Sequence, residues 1–279
     1  MFGDLPKVLE AAAPLIELAL REDLGPGDLT SEALIPAEAE GRAVLLAKAA
    51  GIVCGLPICA EVFRRVDPRL RFLAQAQDGE PVAPGDEVAE VAGPLRGILA
   101  AERTALNFLS RLSGIATLTF QFVKAVANYP VVVLDTRKTT PGWRVLEKYA
   151  VRCGGGRNHR FGLYDRVLIK DNHLAYVGSV GEAVRRARGV GPVAVEVRDL
   201  EELRAALDAG AAWILLDNMD LPTLRRAVAL AKGKAFLEAS GGITLARAAE
   251  VAATGVDAIS VGALTHSAPA LDFSLEVQA

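Results

Sequence analysis

The chain has 279 residues, with 31 Lys and Arg against 34 Asp and Glu, and 51% of its residues are hydrophobic. These fractions are typical of an ordinary globular protein and exclude a disordered, collagenous or disulfide-rich class. A formal net charge of −3 gives no reason to expect a nucleic acid or an anionic membrane as a partner. A chain of this length buries about three-quarters of its unfolded surface, so its core needs no metal or disulfide.

Cysteine usage and the N-terminal residues predict the compartment. Cys54, Cys59 and Cys153 form no CxxC pair, which is typical of a protein from a reducing cytoplasm. The first ten residues lack the apolar segment of a signal peptide, and the apolar stretch 49–60 is too short to span a bilayer, which takes about 18 residues. We therefore expect a soluble, cytoplasmic protein with no membrane partner.

The first third of the chain predicts a small α+β domain. A helix is predicted over residues 8–20, with Pro14 expected to kink or restart it. Short strands are predicted at residues 42–48, 51–54 and 71–74, and the segments between them are rich in turn residues. An antiparallel sheet follows from this pattern, and a long amphipathic helix from Ala101 to Ala127 comes after it.

From there the chain alternates apolar strands with helices, which predicts βαβ units and a parallel sheet, either open or closed as a barrel. The predicted strands are Val131–Asp135, Val167–Lys170, Val193–Val197, Trp213–Asp217, Phe236–Ala239 and Ala258–Val261. The predicted helices are Pro141–Ala150, Val180–Arg188, Leu200–Ala209, Leu221–Ala231 and Leu245–Ala253.

Each of these strands ends on polar or small residues. The carboxyl ends of consecutive parallel strands meet at one edge of the sheet, where α/β barrels place their chemistry. Charged residues also mark the points where strands emerge into solvent, but six ends sorted by charge fit that explanation poorly. The ends in question are Asp135-Thr-Arg-Lys138, Lys170-Asp171, Glu196, Asp217-Asn218, Glu238-Ala-Ser-Gly-Gly242 and Ser260-Val-Gly262.

The sorting of charge predicts an anion site beside an acidic site. Nine Lys and Arg lie between Thr136 and Lys170. Arg137, Lys138, Arg160 and Lys170 are the better candidates for binding a carboxylate or phosphate, whereas helical spacing predicts that three other cations form a solvated face. Those three are Arg144, Lys148 and Arg152.

The strands that follow supply acids and then small turns. Glu196 and Asp217 suit a hard divalent cation or sugar hydroxyls. Backbone N–H groups at such turns commonly bind phosphate in barrels, and Thr244 is placed to cap a helix there. The two turns are Ser240-Gly241-Gly242 and Val261-Gly262-Ala263. Together these residues predict a site for a phosphorylated sugar with a metal ion, next to a second anionic ligand.

Single residues leave alternatives open. Lys170 ends an apolar strand, so its amine could form a Schiff base, or it could simply bind an anion among the other cations. His159 is interpreted as a hydrogen-bond donor and His173 as a loop cap. The cysteines and both tryptophans are interpreted as packing residues.

Several motifs resemble the quinolinate phosphoribosyltransferase family. They follow one another in order over nearly the whole chain, and the Thr-Arg-Lys-Thr-Thr and Gly-Gly-Gly-x-x-His-Arg pair is highly specific. The matching runs are Glu22–Thr30, Ala101–Asn107, Asp135–Arg144, Gly154–Arg160, Leu168–His173, Leu215–Asn218, Glu238–Gly242 and Ser260–His266.

The resemblance implies an α/β protein in which an N-terminal α/β sandwich domain packs on an incomplete, open α/β barrel of TIM-like type. The implied domains are residues 1–105, to which the tail 267–279 returns, and residues 106–266. It also implies a cytoplasmic homodimer or hexamer in which Arg103 enters the neighbouring subunit's site.

The implied activity is phosphoribosyl transfer from 5-phosphoribosyl 1-pyrophosphate to quinolinate with decarboxylation, in NAD biosynthesis, with Mg²⁺ as cofactor. The residues implied around quinolinate are Arg137, His159, Arg160, Lys170 and the neighbour's Arg103. Those implied for the phosphoribosyl donor are Lys138, Glu196, Asp217 and the two small turns, with Glu196 and Asp217 holding Mg²⁺ directly or through water. Thr136 is implied as a further substrate-binding residue. Lys138, Lys170, Glu196 and Asp217 are the implied catalytic residues.

Three other functions stay open on the residues alone. A sister phosphoribosyltransferase, such as the molybdenum-associated paralogue, would act on another acidic acceptor with the same fold. A Schiff-base aldolase would use Lys170 covalently. A binding protein for sugar phosphates would share the small turns, although it would not need so many cations at a second ligand site.

Overall fold

The structure is a computed structural model that describes residues 5–278. Residues 1–4 and 279 lie outside it, and residues 1–4 are part of the stretch used to predict the absence of a signal peptide. The helices are α1 (Leu5–Leu24), α2 (Leu29–Leu34), α3 (Leu56–Val66), α4 (Leu95–Ala125), α5 (Arg144–Cys153), α6 (Asp171–Val177), α7 (Val180–Ala187), α8 (Leu200–Asp208), α9 (Leu221–Ala231), α10 (Leu245–Ala252) and α11 (Ala263–His266). The strands are β1 (Glu40–Ala47), β2 (Gly51–Ile52), β3 (Arg71–Ala74), β4 (Pro81–Val82), β5 (Glu87–Pro94), β6 (Val132–Leu134), β7 (Val167–Ile169), β8 (Val193–Val197), β9 (Trp213–Asp217), β10 (Phe236–Ser240), β11 (Ala258–Ser260) and β12 (Phe273–Gln278).

The chain forms two compact units. Unit 1 contains the residues up to Phe120, Thr139–Gly155 and the residues from Thr265 onward, and unit 2 contains Gln121–Lys138 and Gly156–Leu264. The sequence-based domain limit at residue 105 lies inside α4, which is continuous from Leu95 to Ala125. The predicted domains 1–105 and 106–266 stay a prediction, because the two compact units have different limits.

Unit 1 is built on an antiparallel sheet with strand order β12-β1-β5-β3. Strand β1 lies between β12 and β5, and its pairing with β12 aligns Arg42 with Gln278. The buried positions of α1 are Val8, Ala12 and Ile16, which recur every four residues and so form one apolar stripe. The expectation of an N-terminal α/β domain with an antiparallel sheet is confirmed.

Unit 2 is built on a parallel sheet with strand order β6-β11-β10-β9-β8-β7. Val195, Ile214 and Leu216 on its central strands have no exposed surface, as expected for strands covered on both faces. Strands β6 and β7 are the two edges of the sheet, so the barrel is open. All six predicted strands are present, and the predicted incomplete α/β barrel is confirmed.

Two predicted helix starts are wrong, and one of the two alternatives for Pro14 is excluded. Helix α1 continues through Pro14 and does not restart there, and the residues on both sides of it form one buried stripe. Helix α5 begins at Arg144 and not at Pro141, since Gly142 adopts a left-handed φ of +81° and the N–H of Trp143 donates to the carbonyl of Thr140 at 3.0 Å. Helix α4 begins six residues before Ala101.

The predicted solvated face of α5 is also wrong. Lys148 is fully buried, and Arg144 and Arg152 are half-buried. Helix α5 therefore contributes buried polar groups to unit 1 and not a row of solvent-exposed charges. The interpretation of Trp143 as a packing residue is confirmed, because its ring stacks on Phe108 with centroids 4.9 Å apart.

Sequence reasoning did not predict α3, β5 or α6. None of the helices within residues 5–278 combines the length and the apolar character needed to cross a bilayer.

Candidate active site

A row of polar side chains lies at the carboxyl edge of the sheet in unit 2. Lys170 directly follows β7, and Glu196, Asp217 and Ser240 lie at or near the ends of β8, β9 and β10. The strand register pairs Ile169 with Val195 and Asp217 with Ser240, which brings these ends to one edge. The row therefore forms because neighbouring parallel strands end together.

An apolar cluster supports this row from below. Leu168, Ala194 and Leu215 form a buried cluster, and Trp213 packs against it. Each of the three lies two residues before a member of the row, on the same face of its strand. The charged side chains therefore lie next to an apolar, water-poor region, and the low dielectric constant there strengthens their electrostatic interactions with a ligand.

Lys170 and Glu196 form an ion pair across β7 and β8. Their Nζ and Oε2 atoms are 3.0 Å apart, and the Lys170 side chain is 45% exposed whereas that of Glu196 is 12% exposed. The backbone N–H of Lys170 donates to Nδ1 of His173 at 3.0 Å, which fixes the start of α6. The interpretation of His173 as a cap is thus confirmed.

Asp135 anchors the segment that carries His159 and Arg160. The Asp135 carboxylate is fully buried and accepts the N–H of His159 at 2.8 Å and the amide of Asn158 at 2.6 Å. Next to it, Arg157 forms a parallel bridge with Leu134 of β6. The segment after the Gly-Gly-Gly run is therefore fastened beside the first strand of the parallel sheet.

His159 is held between its own backbone and Glu238. Its Nδ1 accepts the N–H of Arg160 at 2.7 Å, and its Nε2 lies 3.3 Å from Oε2 of the fully buried Glu238. The same Glu238 oxygen accepts the indole N–H of Trp213 at 2.7 Å. Because Nδ1 accepts a hydrogen bond, the ring proton is assigned to Nε2, on the side of Glu238. The donor role of His159 towards a ligand stays a prediction.

The cations of this site are crowded together. Arg160 is only 8% exposed and donates to the carbonyl of Arg166 at 3.1 Å. Burial, and after it the nearby charge of Arg137, lowers the pKa of the Arg160 guanidinium, which nevertheless stays ionised. Arg166 in turn lies over the Trp213 ring, with Cζ 3.8 Å from the ring centroid. Mutual repulsion of these charges favours the binding of a polyanion.

The two small turns differ in the N–H groups that they offer. Gly241 and Gly242 adopt left-handed φ angles of +90° and +59°, and the N–H of Asn218 donates to the carbonyl of Ser240 at 2.9 Å. Thr244 stands at the predicted capping position before α10, but its side chain makes no capping hydrogen bond, so the predicted cap does not form. The Thr244 side chain therefore does not occupy the first N–H groups of that helix.

In the second turn the Val261 N–H already donates to the carbonyl of Leu134 at 2.9 Å. Gly262 and Ala263 follow it at the start of α11.

The remaining predicted residues are half-buried or exposed. Thr136 is half-buried and its hydroxyl accepts the N–H of Lys138 at 3.0 Å, while the Lys138 side chain is exposed. Arg103 is exposed on α4, in unit 1. All other predicted site residues belong to unit 2.

Comparison with known proteins decides the family. A family model described as the quinolinate phosphoribosyl transferase C-terminal domain matches residues 115–276, and the model of the N-terminal domain matches residues 28–113. This chain belongs to the quinolinate phosphoribosyltransferase family.

Its relatives in that family include a bacterial protein, a plant protein and a solved structure. A probable nicotinate-nucleotide pyrophosphorylase (carboxylating) of Bacillus subtilis is 45% identical over 260 residues, which are 92% of this chain and 90% of that protein. A mitochondrial quinolinate phosphoribosyltransferase (decarboxylating) of Nicotiana tabacum is 42% identical, over 94% of this chain and 81% of that protein. The structure of the nicotinate-nucleotide pyrophosphorylase from Francisella tularensis superposes with a TM-score of 0.92 at 40% identity, over 97% of both chains.

Four residues of the site were not among the predicted site residues of this family member. Asp135 and Glu238 stand at strand ends that the sequence already marked, so their position was a usable signal. Trp213 was interpreted as packing only, although its N–H donates to Glu238. Arg166 gave no signal beyond its place in the basic run, because stacking on Trp213 depends on the fold.

Proposed function

We propose that this chain transfers the phosphoribosyl group of 5-phosphoribosyl 1-pyrophosphate to quinolinate and releases pyrophosphate and CO₂, giving nicotinate mononucleotide in NAD biosynthesis. It would thus act as a pentosyltransferase. The relatives' names state this reaction for those proteins. The observation that carries the proposal for this chain is the Lys170–Glu196 ion pair, which joins a cationic region to an acidic one at the same sheet edge.

The cationic region fits the dicarboxylate. Arg137, Arg160 and Lys170 offer guanidinium and ammonium donors, and two carboxylates in a water-poor pocket need several such charges. His159 lies in the same region, with its ring orientation fixed by the Arg160 N–H on Nδ1 and by Glu238 beside Nε2. The proposal includes Arg103 of a neighbouring subunit, whose exposed position on α4 leaves its guanidinium accessible.

The acidic region and the small turns fit the phosphoribosyl donor. Glu196 and Asp217 can accept hydrogen bonds from ribose hydroxyls, and Lys138 with Thr136 can contact the pyrophosphate. The 5-phosphate would bind the turns Ser240-Gly241-Gly242 and Val261-Gly262-Ala263, since backbone N–H groups at such turns commonly bind phosphate.

Mg²⁺ fits the donor set proposed for it. Glu196 and Asp217 are half-buried carboxylates on adjacent strands, and oxygen ligands from one or two carboxylates plus substrate phosphates are typical of Mg²⁺. We propose that these two residues hold the ion directly or through water. When bound, Mg²⁺ would neutralise charge on the leaving pyrophosphate.

Catalysis in this proposal is positioning and fixed electrostatics. The cations hold quinolinate so that its ring nitrogen faces the ribose C1, and the C1–O bond breaks as the C1–N bond forms. The ring nitrogen becomes cationic, so the carbanion left when the adjacent carboxylate departs as CO₂ is stabilised. A proton from solvent then takes the place of CO₂.

We further propose a cytoplasmic homodimer or hexamer. The free thiols of Cys54, Cys59 and Cys153 support a reducing compartment. The family resemblance supports the assembly through Arg103, which the mixing experiment in the Discussion tests.

The experiment that tests the function follows CO₂, pyrophosphate and nicotinate mononucleotide with quinolinate, 5-phosphoribosyl 1-pyrophosphate and Mg²⁺. Equal amounts of all three products support the proposal. Turnover with another aromatic acid but none with quinolinate would select the sister phosphoribosyltransferase. A covalent adduct on Lys170 after borohydride treatment with substrate would instead indicate a Schiff-base mechanism.

A further inference from the structure

Two thiols in unit 1 lie close together although they are 99 positions apart in the chain, at residues 54 and 153. Cys54 follows β2 and is fully buried, whereas Cys153 is the last residue of α5 and is half-buried. Their Sγ atoms and a carboxylate oxygen of Asp78 all lie within 4.8 Å of one another. The proposed reaction uses none of these three residues.

Asp78 fixes the distance between the two thiols. Its carboxylate accepts the N–H groups of Gly55 at 2.9 Å and Leu56 at 3.0 Å, next to Cys54. It also accepts the hydroxyl of Tyr149 at 2.8 Å, one helical turn before Cys153. One half-buried carboxylate therefore ties together the two segments that carry the sulfurs.

This bonding argues against a metal ion at the cluster. The Asp78 oxygens already accept three hydrogen bonds, two of which cap the start of α3. A metal ligand at Asp78 would compete with that cap and with Tyr149. The chemistry that remains belongs to the sulfur pair.

The two thiols are unequal. Burial raises the pKa of Cys54 well above its usual range, and so does its hydrogen bond to Cys153. The interaction with the Cys54 thiol lowers the pKa of Cys153. Thiolates are the nucleophilic form, so the half-exposed Cys153 is the more reactive sulfur and Cys54 is placed behind it.

We propose that Cys153 and Cys54 form an oxidation site for hydroperoxides, which ends in an intramolecular disulfide. The Cys153 thiolate attacks the distal oxygen of the hydroperoxide, the O–O bond breaks, and the leaving oxygen takes a proton. Cys153 is then a sulfenic acid. The Cys54 thiol attacks the Cys153 sulfur, the S–O bond breaks and water leaves. The two thiols together lose two electrons, and the hydroperoxide gains them.

The geometry allows the bond to close. A disulfide has sulfurs about 2 Å apart, so the two Sγ atoms need to approach by no more than about 3 Å. Side-chain rotation supplies movements of this size. The third cysteine, Cys59, is separately held, since its fully buried thiol donates to the carbonyl of Ala105 at 3.2 Å.

The test uses the reduced, full-length protein with stoichiometric hydrogen peroxide. We expect the free thiols to fall from three to one, a Cys54–Cys153 peptide to appear in mass mapping, and dithiothreitol to reverse both changes. The Cys59→Ala variant is the matched control and should form the same disulfide.

Two further variants separate the steps. Cys54→Ala should accumulate a sulfenic acid on Cys153 that dimedone traps, and Cys153→Ala should form no disulfide. Retention of all three thiols in the native protein, a disulfide that includes Cys59, or a dimedone adduct on Cys54 in place of Cys153 would each overturn the proposal. Because Cys153 is half-exposed, its variant tests the site even if Cys54→Ala does not fold.

Discussion

The indole Nε1 of Trp213 donates to Oε2 of Glu238 at 2.7 Å, and that oxygen also lies 3.3 Å from Nε2 of His159. One buried carboxylate oxygen thus faces two N–H donors from two different elements. We therefore expect Glu238 to act as a positioning residue of the proposed quinolinate site, through the orientation of His159.

Glu238→Gln should raise KM for quinolinate about tenfold, which corresponds to about 1.4 kcal/mol, with a smaller change in KM for 5-phosphoribosyl 1-pyrophosphate. The glutamine side chain has one acceptor oxygen and one NH₂ group. Its NH₂ group would therefore face either the Trp213 N–H or Nε2 of His159 in place of a carboxylate oxygen. Steady-state kinetics with each substrate varied in turn measure this. Glu250→Gln, at an exposed position of α10, is the control, and equal changes in both KM values would contradict the positioning role.

Arg160→Ala and Lys170→Ala should each lower kcat/KM for quinolinate by at least about 10²-fold, a loss of about 2.7 kcal/mol. Each removes a charge that the proposal places on a substrate carboxylate. Lys234→Ala, which removes an exposed lysine, should leave kcat/KM unchanged. Activity of both site variants within a few-fold of the native protein would remove them from the site.

Subunits carrying Arg103→Ala and subunits carrying Lys170→Ala should each be inactive alone and regain activity when mixed. In a mixed dimer, one of the two sites has both native residues if Arg103 comes from the neighbour. The assay is activity after the two variants are unfolded and refolded together, compared with each refolded alone. Mixtures that stay as inactive as their components, with mixed dimers demonstrated, would argue against a shared site.

Gly241→Ala should raise KM for 5-phosphoribosyl 1-pyrophosphate by about tenfold or more. Gly241 has a φ of +90°, and a Cβ at this position would collide with the side-chain amide of Asn218. Gly233→Ala is the matched control, because Gly233 has a φ of +73° with open space around its Cβ position. Both substitutions strain the backbone, because both glycines have a positive φ. Only Gly241→Ala is expected to lose affinity for the phosphoribosyl donor.

Glu61→Gln should make unfolding easier in a pH-dependent way. Hydrogen bonds from Arg64, and then from Arg65, lower the pKa of Glu61 to about 2. A lowered folded-state pKa stabilises the fold above the unfolded value of about 4.3 and loses that effect as the pH falls towards 2.

The Arg64 side chain is largely in solvent and that of Arg65 is partly exposed, so solvent screens both pairs. We therefore expect a difference of about 1 kcal/mol near pH 6 that shrinks towards pH 3. Urea unfolding at both pH values measures it. Glu17→Gln, which breaks an exposed pair with Arg21, is the control. A Glu61→Gln effect that does not change between the two pH values would contradict the assigned cause.

The strand ends of unit 2 were predictable because hydrophobic runs there alternate with helices and finish on polar residues. Glu196 and Asp217 could be assigned to one sheet edge from that pattern alone. The burial of Lys148 could not be predicted, because helical spacing shows which residues share a face but does not show what covers that face. The missed roles of Asp135 and Glu238 have the same origin, since each depends on a hydrogen-bond partner more than 20 residues away.

Strand β12 pairs with β1 over the whole of its length, with Ala47 opposite Phe273 and Arg42 opposite Gln278. During synthesis, β1 leaves the ribosome more than 220 residues before its partner strand. The nascent sheet of unit 1 therefore keeps an unpaired edge at β1 while the rest of the chain is translated, and such edges recruit other strands. Only when β12 has been synthesised and pairs with β1 is this edge covered.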